Sequence, residues 1–437
     1  MLHRVSSYTM FVMTTASAGH LSDTELAAMS LATNVILGFD FNLLLGMSSA
    51  LETLCGQAFG AKNYRMLGIY LQRSWIILFV CCVAISPLLY FTTPLLKLLG
   101  QSPQVAELAG TVALSFIPLH FSFAFQFPLQ RFLQSQLKNS VIAWATLVAL
   151  IVHLFVNWFV LFKLKLGLVA ISLALGFSWW VVVFVLLGYS LSGTCPHSWT
   201  GFSWEAFSGL WQFLKLSVSS GVMICLENWY YQILVVFAAR VGNSVAFDAL
   251  SICMTINGWE NMIPVGFFIG TGVRVANELG AGNGRKAKFA TIVSVTQSIL
   301  ISIVFWFMII FFHNEIALVF TSSEPVLKEV SKLSVFLACT ILLGSVQPVL
   351  SGVAVGSGWQ SYVAYINLGC YYLVGVPFGV LMGWVFKQGV LRIIRLNPFQ
   401  TLILAIIVIR CDWDKEALKA GMHIEKWGNI SPAGSLI

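Results

Sequence analysis

The chain has 437 residues, of which 58% are hydrophobic, 14% aromatic and only 9% charged, against about 25% charged residues in an average soluble protein; this is the composition of a membrane protein. A mean hydropathy of +0.86 over the whole length excludes disorder, a secreted disulfide scaffold and a soluble enzyme with one anchoring helix, and the continuous apolar runs lack the two-residue alternation of a transmembrane β-barrel. The net charge of +7, from 24 Lys and Arg against 17 Asp and Glu, is spread thinly over short connections without interleaved aromatics, so nucleic-acid binding is not expected.

Runs of about 20 apolar residues, enough to cross a bilayer as a helix, recur along the chain at 1–19, 26–53, 73–98, 108–133, 141–162, 168–191, 211–239, 245–273, 289–312, 330–354, 362–386 and 396–410. The reading is therefore an all-α polytopic membrane protein with about twelve transmembrane helices. Most connections are short and hold turn signals such as Gly100-Gln101-Ser102-Pro103 and Gly280-Ala281-Gly282-Asn283-Gly284. The longest, 192–210, is rich in Ser and Gly and divides an N-terminal lobe, 1–191, from a C-terminal lobe, 211–412, with a polar tail over 413–437.

Sliding the sequence on itself reveals a repeat. At an offset of 220–222, Ala28 and Ser30 meet Ala249 and Ser251, Gly60-Ala61 meets Gly280-Ala281, Pro103 meets Pro325, Gln126 meets Gln347 and Pro128 meets Pro348. Six spans per half is an even number, so both halves enter and leave on one side and the repeat is parallel, an architecture of secondary transporters. The same offset makes the first span look cut short, and Arg392, Arg395 and Pro398 stand where the sixth span has a clean apolar run. The basic residues of the even-numbered connections, among them Lys62, Arg65, Arg131, Lys138, Arg285 and Lys286, place those connections and both termini in the cytoplasm.

An ionisable residue inside a span marks a functional site by default. Asp40, Glu227, Asp248 and Glu260 qualify. Glu227 lies mid-span with Tyr230 and Tyr231 at i+3 and i+4 on one helical face. A carboxyl group in low dielectric can take and release a proton in the physiological range, which a proton-coupled carrier needs; the alternative is an acid that glues helices together. Glu260 shares a face with Asn257, one turn before Pro264, and reads either as a second proton or cation site or as a structural partner. Asp40 and Asp248 read as a water-exposed cavity wall or as helix-end positions. Pro118, Pro128, Pro264, Pro348 and Pro377 interrupt spans and predict kinks. Gln126 and Gln347, each just before a proline, form a repeat-related polar pair for lining a substrate cleft; Asn157, Asn367, Tyr371 and Tyr372 are further candidates of the same kind.

Gly46-Met47, Leu51-Glu52-Thr53-Leu54-Cys55-Gly56-Gln57-Ala58-Phe59-Gly60-Ala61, Tyr70-Leu71-Gln72-Arg73-Ser74-Trp75, Arg274-Val275-Ala276-Asn277-Glu278-Leu279-Gly280-Ala281-Gly282, Gln347-Pro348-Val349-Leu350-Ser351-Gly352 and Arg410-Cys411-Asp412-Trp413-Asp414 resemble the multidrug and toxic compound extrusion (MATE) family in its plant detoxification-efflux branch. The resemblance covers nearly the whole chain. It implies a twelve-helix antiporter that exports organic compounds against entering protons, with a V-shaped pair of lobes alternating between inward and outward states. It places the family's proton-coupling glutamate of helix 7 on Glu227. A second family acid, in helix 10, falls on Gly344, which leaves more of the coupling to Glu227, with Glu260. Relative to the family, the first and last helices are shortened, as in a truncated or alternatively spliced chain.

The expected partners are thus a small organic substrate, cationic or aromatic to suit the acids and tyrosines of the second half, protons and the lipid bilayer, with the chain a monomer in the plasma or vacuolar membrane. No enzyme activity, metal or cofactor beyond a proton gradient is expected, because the seven histidines are scattered and no CxxC pair or nucleotide-binding motif exists. A channel would need a selectivity element repeated around an axis. A lipid-linked flippase is the closest rival and an inactive shortened isoform another; cleft-facing arginines would favour the flippase, and almost none are evident.

Overall fold

The computed structural model describes residues 2–241, 244–321, 323–377 and 398–429; the side chains of Tyr231 and Asp248 fall outside the description. Within the described residues, each expected span holds helix. In order these are α1 (Leu2–Gly19), α2 (Asp23–Leu31) continuing through a π turn into α3 (Gly38–Gly60), α4 (Tyr64–Tyr90), α5 (Thr92–Leu98), α6 (Pro103–Ser115), α7 (Ile117–Ser135), α8 (Asn139–Trp158) and α9 (Leu168–Leu191). The second half holds α10 (Leu210–Val241), α11 (Ser244–Gly280), α12 (Gly284–Leu318), α13 (Glu324–Gly344), α14 (Val346–Ser357), α15 (Gln360–Asn367) running into a π segment (Leu368–Gly375), α16 (Pro398–Ile409) and α17 (Trp413–Asn429). Among the described residues, six helices are long and apolar enough to cross a membrane, or seven if α6 and α7, bent by 45°, count as one span. Of the shortened last span expected over 396–410, α16 covers the described part, and Arg392 and Arg395 lie outside the described residues.

The sequence dictates local boundaries. Ser22 caps α2: its hydroxyl accepts from the Glu25 backbone N–H (3.2 Å) and donates to the Glu25 carboxylate (3.0 Å). The α3–α4 and α7–α8 turns require left-handed residues at Lys62 (φ 61) and Leu137 (φ 62), and 220 and 221 residues later the same turns use Gly282 (φ 75) and Gly358 (φ 81). The repeat therefore extends to backbone conformation, with glycine removing in the second half a strain that a side chain carries in the first.

The chain divides into two compact units, residues 1–221 with 423–437, and residues 222–422. In the first, α3 and α7 flank an aromatic box in which Phe41, Phe123, Phe127 and Trp179 meet edge-to-face or stacked at 5.1–6.5 Å. Two buried acid–base contacts bracket it: Asp40 with His120 (2.7 Å) and Glu52 with Arg131 (2.7 Å). Asp40 is fully buried in the middle of a 38-residue helical span. That corrects the expectation of a cavity wall or helix end: a histidine 80 residues away supplies the partner that removes the need for water.

In the second unit, α14 lies so close to α11 that a Cβ on Gly352 would come within 3.0 Å of the Phe268 backbone, the close approach that small residues permit between membrane helices. The segment read as a polar tail forms α17, an amphipathic helix. Its Trp413, Ala417 and Ala420 are buried in the second unit's core, and Trp427 packs in the first unit against Tyr70 (6.1 Å) and over the Arg73 guanidinium (5.8 Å).

Candidate functional site

One face of α10 carries the site. Met223, Leu226, Glu227 and Tyr230 follow at helical spacing, so they point one way, and the π segment after α15 supplies their neighbours. The Tyr372 hydroxyl donates to the Leu226 carbonyl (3.0 Å), the Asn367 amide donates to the Met223 carbonyl (3.0 Å), and the Tyr371 ring stacks on Tyr230 at 4.4 Å with 13° between planes. Consecutive tyrosines on a regular α-helix point about 100° apart; both reach α10 here within a π segment, an irregularity common at functional sites. Gly375 lets the backbone pass Tyr230, because a Cβ there would stand 3.0 Å from the ring.

Gln400 of α16 closes the network. Its amide donates to the Asn367 side-chain oxygen (2.6 Å) and its carbonyl accepts from the Tyr371 hydroxyl. Asn367, Tyr371, Tyr230 and Gln400 are all buried, so one phenol and two amides are tied to the Met223 carbonyl with their polar atoms directed at one another, and the Tyr230 ring stacks on that phenol. Beside them Glu227, half-buried, is hydrogen-bonded by Gln347 of α14, and the Gln347 amide also donates to Ser351 (3.1 Å). Glu227, Tyr230, Gln347, Asn367, Tyr371 and Tyr372, six of the residues singled out in the sequence, are thereby brought together.

The others fall elsewhere. Glu260 is buried on α11 with Ser302 of α12 hydrogen-bonded to its carboxyl; among the described residues its Oε1 has no partner and no contact joins it to Glu227. Asn257 is half-buried one turn earlier on α11. Gln126, in the first unit, is fully buried on α7 with both amide atoms unpartnered among the described residues. Asn157 ties α8 to α1 by donating to Ser17 (2.7 Å). Sequence reasoning missed Gln400 and Ser302. An amide inside the apolar run Leu396–Ile409 was the one available signal for Gln400; a serine on a helix carries none.

No group of three or more His, Cys, Asp or Glu side chains among the described residues is arranged to hold a metal ion. Two helical units related by a parallel repeat, each with acids inside spans, define a multi-pass secondary transporter. The MatE family model matches residues 1–159 and again 220–381, once per half. The chain is 62% identical to Protein DETOXIFICATION 27 of Arabidopsis thaliana over 432 residues (98% of this chain, 89% of that one) and 58% identical to Protein DETOXIFICATION 26 of the same plant over 437 residues (99% and 89%). It also superposes on the crystal structure of the eukaryotic MATE transporter AtDTX14 with a TM-score of 0.89, at 33% identity and covering 96% of this chain and 95% of that one. A MATE crystal structure in the bent conformation, 16% identical, shares the fold with a TM-score of 0.82. The chain belongs to the MATE family: it is a membrane transporter, not an enzyme, built on the twelve-helix fold.

Proposed function

We propose that this chain is a proton-coupled antiporter that exports organic compounds, cationic or aromatic, by alternating access. The observation that carries the proposal is the company Glu227 keeps: a carboxyl group inside a span, with a neutral amide and no cation as its described partner, beside a stack of two tyrosines. An ionised carboxylate in that setting needs a counter-charge. A proton or a substrate cation can each provide it, but not both together, so binding of one expels the other. That mutual exclusion is antiport. The stacked Tyr230 and Tyr371 and the Gln400–Asn367 network are buried together and brace the face of α10 that carries Glu227. Glu260, with the neutral Ser302 as its partner, is the second coupling acid.

The test is uptake of a fluorescent organic cation into proteoliposomes under an imposed pH gradient. Uptake should follow the gradient in the native chain and vanish in Glu227→Gln, whose folding is checked by size-exclusion profile. Unchanged gradient-driven uptake in the variant would refute the coupling role.

A further inference from the structure

The first unit holds a buried titratable pair that the mechanism above leaves unused. We propose that Asp40 and His120 form a proton-binding site of their own, the first-unit counterpart of Glu260. The proposal rests on the antiport reading for its purpose and on geometry for its existence.

The geometry fixes a proton count. The His120 Nε2 lies 2.9 Å from the Cys82 backbone carbonyl. A carbonyl can only accept, so Nε2 carries a hydrogen. The 2.7 Å contact between Nδ1 and the Asp40 Oδ2 then needs a proton of its own, from an imidazolium or from a carboxylic acid. Without it, two lone pairs would face each other in a site from which water is excluded, both side chains being fully buried. The contact therefore describes the protonated, electrically neutral pair. Losing that proton leaves one buried negative charge whose other oxygen, Oδ1, has no partner among the described residues, a state that must rearrange or recruit a cation.

Few other groups face the pair. On α4 there are the Cys82 thiol, 3.7 Å from the His120 carbonyl, and Cys81. From α9 comes Trp179 through the aromatic box, and the next charges on α3 and α7 are Glu52 and Arg131, at the far end of that box. The fixed cation among them, Arg131, is paired with Glu52 and does not replace the proton.

The repeat supplies the second, independent observation. Asp40 and Glu260 are 220 residues apart, and so are Cys82 and Ser302: Asp40 reaches Cys82 of α4 through His120, and Glu260 meets Ser302 of α12 directly. Both units thus bury an acid at the same place on equivalent helices. Where the first unit adds His120, the equivalent stretch of the second holds Thr340, Ile341 and Leu342, which cannot titrate.

The test labels the histidine rings with nitrogen-15 in the full chain reconstituted in lipid and follows them from about pH 5 to 9, with His120→Gln assigning the signals. The His120 signals should move with pH in the native chain. They should stop moving in Asp40→Asn, whose amide can donate to a bare Nδ1 and keep the contact without a titratable proton. In the proteoliposome assay the pH dependence of uptake should become shallower by about one proton in Asp40→Asn. Ring signals that stay constant in the native chain, or that titrate identically in Asp40→Asn, would overturn the proposal. Because the ring signals need no transport, a failed Glu227→Gln experiment would sink the antiport reading without touching this one.

Discussion

The close approach of α14 to α11 yields a prediction that can be worked from coordinates. In Gly352→Ala the new methyl group would stand 2.9 Å from the Phe268 carbonyl carbon and 3.0 Å from its Cα, where carbon atoms settle at about 3.5–4.0 Å. The obstacle is backbone, which has no rotamer to yield, so α14 must retreat by about 1 Å. A gap of that size forfeits a quarter to a half of each dispersion contact across it, and the contacts at stake join Leu350, Val353, Ala354 and Val355 to Val275, Leu279 and Phe268. Overpacking of this kind costs about 1–3 kcal/mol, of which alanine's better helix propensity returns up to about 1 kcal/mol. The net loss, about 1–2 kcal/mol, lowers the folded-to-unfolded ratio about 5- to 30-fold. The control is Gly344→Ala, where a Cβ finds nothing within 4 Å and the same propensity gain should stabilise by about 0.5–1 kcal/mol. Thermal unfolding in detergent, followed by size-exclusion chromatography, should rank Gly344→Ala above the native chain and Gly352→Ala below it. Gly352→Ala melting with or above the native chain would show that the glycine is not what sets the helix separation.

Other substitutions probe the remaining contacts. Gln400→Leu strips the buried Asn367 oxygen of its donor and the Tyr371 hydroxyl of its acceptor, and should cost about 1–3 kcal/mol for each orphaned group; Tyr371→Phe removes one hydroxyl and should cost less, with unfolding temperature as the readout. Glu52→Gln leaves Arg131 as an uncompensated buried cation and should destabilise by about 3–5 kcal/mol, much of it recovered in Glu52→Gln/Arg131→Met. Trp427→Ala empties the seat formed by Tyr70 and Arg73; a loss of about 3 kcal/mol should expose α17 to limited proteolysis before any other helix.

How much of this was legible in the sequence follows the range of each interaction. Helices and their repeat are local or periodic properties: apolar runs marked where the helices of the described residues lie, and the offset that matched Gly60 to Gly280 also matched the left-handed turns at Lys62 and Gly282. Glu227 was legible because an acid with phenols one turn away is a local pattern. The Asp40–His120 contact was not, since its members lie 80 residues apart and each looks ordinary alone. Gln400 was lost for the same reason: its partners are Asn367 and Tyr371, 33 and 29 residues away. Asn157 shows the opposite failure, a polar residue in a span that suggested a cleft and serves to join α8 to α1.

The repeat also shows how one fold came to carry two kinds of polar interior. Arg131 and Gly352 are 221 residues apart and occupy equivalent places on α7 and α14. In the first unit that place is an ion pair with Glu52 on α3; in the second it is a glycine pressed on α11. An arginine stays charged at any working pH, so the Glu52–Arg131 pair joins its helices without exchanging protons, whereas a glycine contact joins them without charge at all. Either solution leaves the helix pair closed. In the second unit Glu227 and Glu260 have neutral hydrogen-bond partners in Gln347 and Ser302, and acids so placed, like the Asp40–His120 pair of the first unit, change the charge of the interior when a proton arrives. Installing a fixed cation beside one of them should therefore abolish exchange while the fold survives: Ser302→Lys, set against Glu260, supplies the charge that a proton or substrate would otherwise bring. Gradient-driven uptake that persists in a folded Ser302→Lys chain would mean that Glu260 takes no part in coupling.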